Sequence, residues 1–249
     1  MDLNKYLILK KERLDQKLPT QCFKCLRLEK SCYCSHIKQF DPQIKFVILT
    51  HPIEFKRKIA TGRMTYLTLK NAEFFVGVNF LNNKRIKSLV EDESYSSFVL
   101  YPGEESINLS LKSCLEKKEL VASTKICVFV LDGTWHTSKR MLRENPFIRD
   151  LPKISFNSKK TSQFRVRKQP QKGCLSTIEA VCETIEHLGP ACGFSLEEKK
   201  HHALLHVFNH MVNTQLKHIK KSYLETRDSR HLSYRIKKFN RLYGEEENQ

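Results

Sequence analysis

The chain has 249 residues, enough for one sizeable core, and its 44 Lys and Arg against 27 Asp and Glu leave a formal net charge of +17. That excess points to a polyanionic partner, with nucleic acid ahead of a membrane surface, because the basic residues are spread along the chain and not gathered on one amphipathic anchor. No apolar run approaches the roughly 18 residues of a membrane span, and the N-terminal stretch lacks the pattern of an export signal, so the expectation is a cytoplasmic protein whose nine Cys are thiols or metal ligands.

The first feature along the chain is Cys22, Cys25, Cys32 and Cys34, a CxxC followed by a CxC. A CxxC knuckle brings two thiolates to one ion, and the short loop from Leu26 to Ser31 returns the chain so that the CxC completes a tetrahedron. Four thiolates leave no open position, so the expected zinc is structural, with His36 as a reserve ligand. Such an ion folds a segment, residues 1–40, that has no core of its own.

From residue 44 the pattern changes to alternating strands and helices. Ile44–Thr50 is a continuous apolar run of buried-strand type that ends at His51-Pro52, and Arg57–Asn71 reads as a helix despite Gly62. Glu73–Val78, Ser96–Gly103 and Lys125–Gly133 supply further strands, with a fourth at Lys153–Phe156, and helices fill the gaps as in βαβ units. Ser176 with Glu179 forms a capping box opening a helix that Gly189-Pro190 closes.

Ser195 with Glu198 predicts a second long helix, from about Leu196 to Leu224, with Leu204, Phe208, Met211, Val212, Gln215, Leu216 and Ile219 as its core side. His202, His206 and His210 fall on another face with Lys199, Lys217 and Lys220. That basic stripe reads equally as a solvated face or as a phosphate contact, and it lacks the Glu of an HExxH zinc site. The tail from Arg227 to Arg241, with Tyr234 and Phe239 within it and Tyr243 just after, reads either as an RNA clamp or as packing.

Three turns follow predicted strands or loops: Leu100-Tyr101-Pro102-Gly103, Leu131-Asp132-Gly133-Thr134-Trp135 and Gly173-Cys174-Leu175-Ser176-Thr177. In open α/β sheets ligands bind beyond the carboxyl ends of the strands, so these loops are the candidate site. GxGxxG and GxxxxGK[ST] are both absent, which weakens dinucleotide and triphosphate readings. Trp135, taken alone, reads as a core indole one residue into a helix.

Together, LDGTW, THPIE with TGRMTYLTLKN, the LYPG turn, LSTIEA and the upstream CxxC with CxC run in order from Cys22 to Ala180. In combination they resemble the DTW-domain family, named for its Asp-x-Thr/Ser-Trp signature. Position 133 is Gly, in a slot that signature leaves open, and nothing after Leu188 matches a family motif. RNA docking by the C-terminal helices therefore rests on charge alone. The resemblance implies a SPOUT-like knotted α/β fold over residues 41–190, preceded by the zinc knuckle of residues 1–40 and followed by a helical basic extension, residues 191–249.

The implied activity is that of a tRNA-uridine aminocarboxypropyltransferase. It moves the 3-amino-3-carboxypropyl group of S-adenosylmethionine to uracil N3 and releases methylthioadenosine. Every carbon on the sulfonium is activated, so selection of the γ carbon is geometric. Asp132 leads as the base for N3, with cofactor binding or orientation as its second role, since an ordinary aspartate near 3.9 is too weak unless burial raises it. Trp135 is expected to stack on adenosine or the target base. Ser176 with its helix N-terminus is expected to hold the cofactor carboxylate, together with Leu100–Gly103, Leu131–Trp135 and Leu175–Thr177 as cofactor contacts. Arg63 and Arg140 are alternative anion partners. The rivals are an RNA methyltransferase of the same fold and a zinc-containing RNA-binding protein without chemistry. The expected partner is tRNA, with neither DNA nor membrane, and the oligomeric state stands open between monomer and homodimer.

Overall fold

The computed structural model describes residues 21–121, 124–158, 160–167 and 174–225, with side chains to Ile219. Gly173, the Lys220 side chain and the basic tail with Tyr234, Phe239 and Tyr243 lie outside the described residues.

Six strands form one parallel sheet: β1 (Lys45–Thr50), β2 (Ala72–Val76), β3 (Tyr95–Leu100), β4 (Ile107–Asn108), β5 (Lys125–Asp132) and β6 (Lys153–Ser155), in the order β2-β1-β5-β3-β6-β4. The helices are α1 (Pro52–Phe55), α2 (Gly62–Thr68), α3 (Lys84–Val90), α4 (Cys114–Val121), α5 (Trp135–Glu144), α6 (Pro146–Arg149), α7 (Thr177–Leu188) and α8 (His202–Glu225). Among the described residues, no helix is long and apolar enough to cross a membrane.

Side chains alternate across a strand, and both faces of this sheet are covered, so β1 and β5 must be apolar at nearly every position. Phe46 of β1 and Ile126, Val128 and Val130 of β5 pack with Met64 of α2, Ile178 and Val181 of α7, and Leu204 and Phe208 of α8. Val47, Leu49, Cys127 and Phe129 turn the other way, against Ile86 and Leu89 of α3 and Met141 of α5. Cys25 and Tyr33 join the first of these cores, so the cysteine-bearing segment is packed on the sheet domain.

Several predicted boundaries shift. The helix expected over Arg57–Asn71 is only α2, because His51 opens the separate short α1 with Pro52 at its first position, and β2 begins at Ala72. The helix expected from Leu196 begins at His202. Lys199 adopts φ 50°, and Glu198 pairs with the Lys200 ammonium at 2.5 Å, so no capping box forms there. The Ser176–Glu179 box does form, opening α7. The core stripe of α8 is buried at Leu204, Phe208, Met211, Val212 and Leu216, with Gln215 and Ile219 half-buried.

Candidate active site and metal centre

The exits of β1 and β5 are neighbours, with Thr50 paired in register to Asp132. Asp132 is 4% exposed, and each carboxylate oxygen accepts a hydroxyl: Thr50 Oγ1 donates to Oδ2 at 3.1 Å, and Thr177 Oγ1 donates to Oδ1 at 2.6 Å. One carboxylate thus joins β1, the LDGTW turn and the first residue of α7. Gly62, at the start of α2, lies so close that a Cβ there would stand 2.6 Å from Asp132 Cγ. Burial raises the Asp132 carboxyl above the ordinary aspartate value and Glu54 adds to the rise, against the Thr177 and Thr50 hydroxyls and Arg167.

The third exit comes from β3. Leu100 pairs with Val130 of β5, which sets Tyr101 beside the LDGTW turn, and the Tyr101 and Trp135 rings meet edge to face at 5.9 Å. Trp135 is 49% exposed, so it is not the core indole that it reads as in isolation. Thr134 caps α5 and accepts from the Thr137 amide, which fixes the indole at the helix start. Leu131, Gly133 and Thr134 lie in the same turn and are partly buried, as are Leu175, Ser176 and Thr177 at the mouth of α7. Pro102 and Gly103 are exposed beyond β3. The structure therefore brings together the three turns singled out in the sequence.

Ser176 is already engaged: its hydroxyl and amide both donate to Glu179 Oε2, at 2.5 and 2.8 Å. Arg140 pairs with Glu144 on α5 at 2.6 Å. Arg63 lies over the Phe55 ring at 4.4 Å and the Phe74 ring at 5.4 Å. The residue pair missing from the sequence reading is Glu54 with Arg167. Glu54, 2% exposed, accepts from both terminal nitrogens of Arg167 at 2.9 and 3.1 Å, and Arg57 adds a contact at 3.2 Å. Glu54 stands inside the THPIE motif, but nothing local signals a partner that lies 113 positions away. Two cavities of about 350 and 420 Å³ lie away from Asp132, one beyond β2 around Asn79 and Asn83, the other at the opposite end of the sheet near Lys45 and Lys125.

Cys22, Cys25, Cys32 and Cys34 converge, all four Sγ atoms lying within 4.8 Å of one another. The Cys22–Cys34 and Cys25–Cys32 sulfur pairs are each 3.6 Å apart. Four thiolates at about 2.3 Å from one zinc sit about 3.8 Å apart, so the donor set fits a tetrahedral ion after a shift of a few tenths of an ångström. Amides of Cys25 and Lys24 bring the Cys22 thiol down to about 6. Zinc with four thiolates carries net charge −2, and the fields of Arg27 and Arg63 reach Cys25; Arg27 is buried, with its Nη1 lacking a hydrogen-bond partner among the described residues. His36 stands outside this group. Its ring stacks on His210 of α8 at 3.5 Å, with His206 6.0 Å away. His202 and His206 are exposed, as are Lys199 and Lys217.

The family model described as DTW domain matches residues 19–216. The tRNA-uridine aminocarboxypropyltransferase 2 of Drosophila melanogaster is 29% identical over 170 residues, 66% of this chain and 65% of that protein. The Mus musculus protein of the same name is 26% identical over 172 residues, 68% of this chain and 56% of that protein. The tRNA-uridine aminocarboxypropyltransferase A of Arabidopsis thaliana is 26% identical over 222 residues, 80% of this chain and 82% of that protein. The chain spans less than two thirds of the length of the first two relatives. No solved structure matches significantly.

Proposed function

The chain belongs to the DTW-domain family, and from that premise we propose that it transfers the 3-amino-3-carboxypropyl group of S-adenosylmethionine to N3 of a uridine in tRNA, in the cytoplasm. The observation that carries this reading is the convergence of three strand exits on Asp132, Thr177, Tyr101 and Trp135. The formal charge of +17 supports a polyanionic substrate. The names of the relatives support the reaction. We take the sheet to be of the SPOUT-like knotted type. Residues 1–40 then form the zinc-knuckle segment, 41–190 the catalytic part and 191–249 its basic extension.

S-adenosylmethionine, when bound, supplies an electrophilic γ carbon and a neutral leaving group. The N3–carbon bond forms as the carbon–sulfur bond breaks, the sulfur keeps the electron pair, and methylthioadenosine departs. We assign Leu100–Gly103, Leu131–Trp135 and Leu175–Thr177 as the walls of the donor site. Trp135, half exposed, offers a face for a base to stack on. The first turn of α7 presents backbone N–H groups suited to a carboxylate. Asp132 is given a positioning role in place of the base expected from the sequence: with both oxygens already accepting hydroxyls, it holds Thr177 and the turns around it, and the N3 proton passes to solvent water. The knuckle would hold zinc through Cys22, Cys25, Cys32 and Cys34 as a purely structural ion.

The test uses two samples of S-adenosylmethionine, one radiolabelled in the carboxyl carbon and one in the methyl group, with unmodified tRNA. The expected result is carboxyl label in tRNA and methyl label in methylthioadenosine. Methyl label in tRNA would establish the methyltransferase instead, and label in neither would leave a binding protein.

A further inference from the structure

A second cluster of metal-binding side chains lies apart from the cysteine knuckle, where α7 meets the start of α8. Cys182 and Glu186 are four residues apart on α7 and so share one face. His201, one residue before α8, reaches across to them. Their sulfur, oxygen and nitrogen donors lie within 4.8 Å of one another. Cys182 Sγ is 3.9 Å from Glu186 Oε1, and His201 Nε2 is 3.7 Å from the same oxygen. We propose that Cys182, Glu186 and His201 form a second divalent-cation site, suited to zinc, that pins α8 to α7.

The donor set has the chemistry of zinc: one thiolate, one imidazole and one carboxylate, with a fourth position for water. Ligand distances of about 2.0 to 2.3 Å span donor separations a few tenths of an ångström shorter than the two contacts to Glu186 Oε1, a closure within reach of side-chain rotation. A second, independent observation concerns His201 itself. It is only 4% exposed, its ring packs on those of Phe194 and His202, and among the described residues its Nδ1 has no hydrogen-bond partner. Nε2 is the nitrogen turned to Glu186, and at 3.7 Å that contact is too long for a hydrogen bond and leaves room for an ion between the two.

Charge points the same way. Lys160 Nζ is 2.5 Å from Glu186 Oε2 and 3.0 Å from Glu183 Oε1, so one ammonium faces two carboxylates, one of them buried. With a neutral thiol and neutral imidazoles that group carries net charge −1. A divalent ion that replaces the Cys182 thiol proton adds one positive charge and brings the sum to zero. Lys160 binds Glu186 through Oε2 and leaves Oε1 facing Cys182 and His201, so ion and lysine do not compete for one oxygen. Closing this site fixes the start of α8, whose next turns carry His206 and His210 onto His36.

Full-length protein equilibrated with zinc chloride and passed over gel filtration should retain about two zinc ions per chain, one for each site. Cys182→Ser and His201→Gln should each lower this to about one, with the Cys22–Cys34 knuckle still loaded. A wild type holding about one ion overturns the proposal, as do folded variants that still hold about two. Should the variants fail to fold, wild-type crystals measured at the zinc absorption edge decide: an anomalous peak between Cys182 and His201 supports the site, and a peak at the knuckle alone overturns it.

Discussion

Gly62→Ala tests the geometry at Asp132 most sharply, because helix propensity and packing predict opposite signs. Gly62 is the first residue of α2, and alanine there would favour the helix by up to about 1 kcal/mol. The added Cβ, however, would stand 2.6 Å from Asp132 Cγ and 3.1 Å from its Cβ, and it would overlap the carboxylate itself. Asp132 cannot swing aside without abandoning Thr50 and Thr177. Overpacking costs about 1–3 kcal/mol, and so deep an overlap with a carboxylate held by two hydroxyls belongs in the upper part of that range, about 2–3 kcal/mol. After the propensity gain, the net loss is about 1–2 kcal/mol, and the melting midpoint falls by about 2–8 °C for a chain of this size. Gly103→Ala is the control, since nothing lies within 4 Å of a Cβ there. In an Asp132→Ala background most of the cost of Gly62→Ala should vanish, because only the 3.1 Å contact with the residual Cβ is left, a non-additivity readable by urea unfolding of all four proteins. A Gly62→Ala protein as stable as wild type, or a cost that persists in full without Asp132, refutes the reasoning.

Asp132→Asn bears on the same carboxylate through pH. Its folded proton affinity is raised, so its contribution to stability is full below the unfolded value near 3.9 and is lost as pH rises through the folded value. Wild type should therefore lose ground to Asp132→Asn across that window in paired urea titrations, and a pH-independent difference would contradict the burial effect. Glu54→Gln leaves Arg167 facing a neutral partner. With Glu54 buried and the Arg167 side chain 29% exposed, the loss should fall between surface and buried values, about 2–3 kcal/mol by urea unfolding, and a change under about 0.5 kcal/mol would count against the pair. Trp135→Ala should leave the melting midpoint nearly unchanged yet weaken S-adenosylmethionine or tRNA binding about 5- to 150-fold, with Trp135→Phe largely restoring it; an unaffected dissociation constant for both removes the stacking role. Chelation, or Cys22→Ser, should strip the knuckle zinc and destabilise the chain by several kcal/mol, because Cys25 and Tyr33 belong to the main core. Unchanged unfolding after verified zinc loss would contradict that coupling.

What the sequence disclosed follows from the range of the interactions involved. β1 and β5 were readable because a strand covered on both faces must be apolar throughout, and Phe46 through Leu49 or Ile126 through Val130 satisfy that locally. The cysteine cluster was readable because its four thiols lie within one short stretch of chain. The Ser176–Glu179 box was readable for the same reason, yet Ser195–Glu198 carries an identical spacing and fails. There the chain turns at Lys199, and His201 is drawn into the space beside Cys182 and Glu186. β4 is two residues long, too short for any period. Least readable were contacts made by distant residues: Arg167 on Glu54, and His210 on His36. The latter gives one member of the basic stripe on α8 a packing partner that charge pattern alone could not supply. The site itself was legible as three turns, whereas their meeting, Thr177 on Asp132 and Tyr101 on Trp135, is a product of strand order.

The three turns are proposed to form a single donor pocket. Its most direct test is a crystal structure with methylthioadenosine, the expected product, at saturating concentration. Density bounded by Leu100–Gly103, Leu131–Trp135 and Leu175–Thr177, with a ring against Trp135, is the predicted result. Density elsewhere, or an empty site in crystals whose turns are free of lattice contacts, would contradict it.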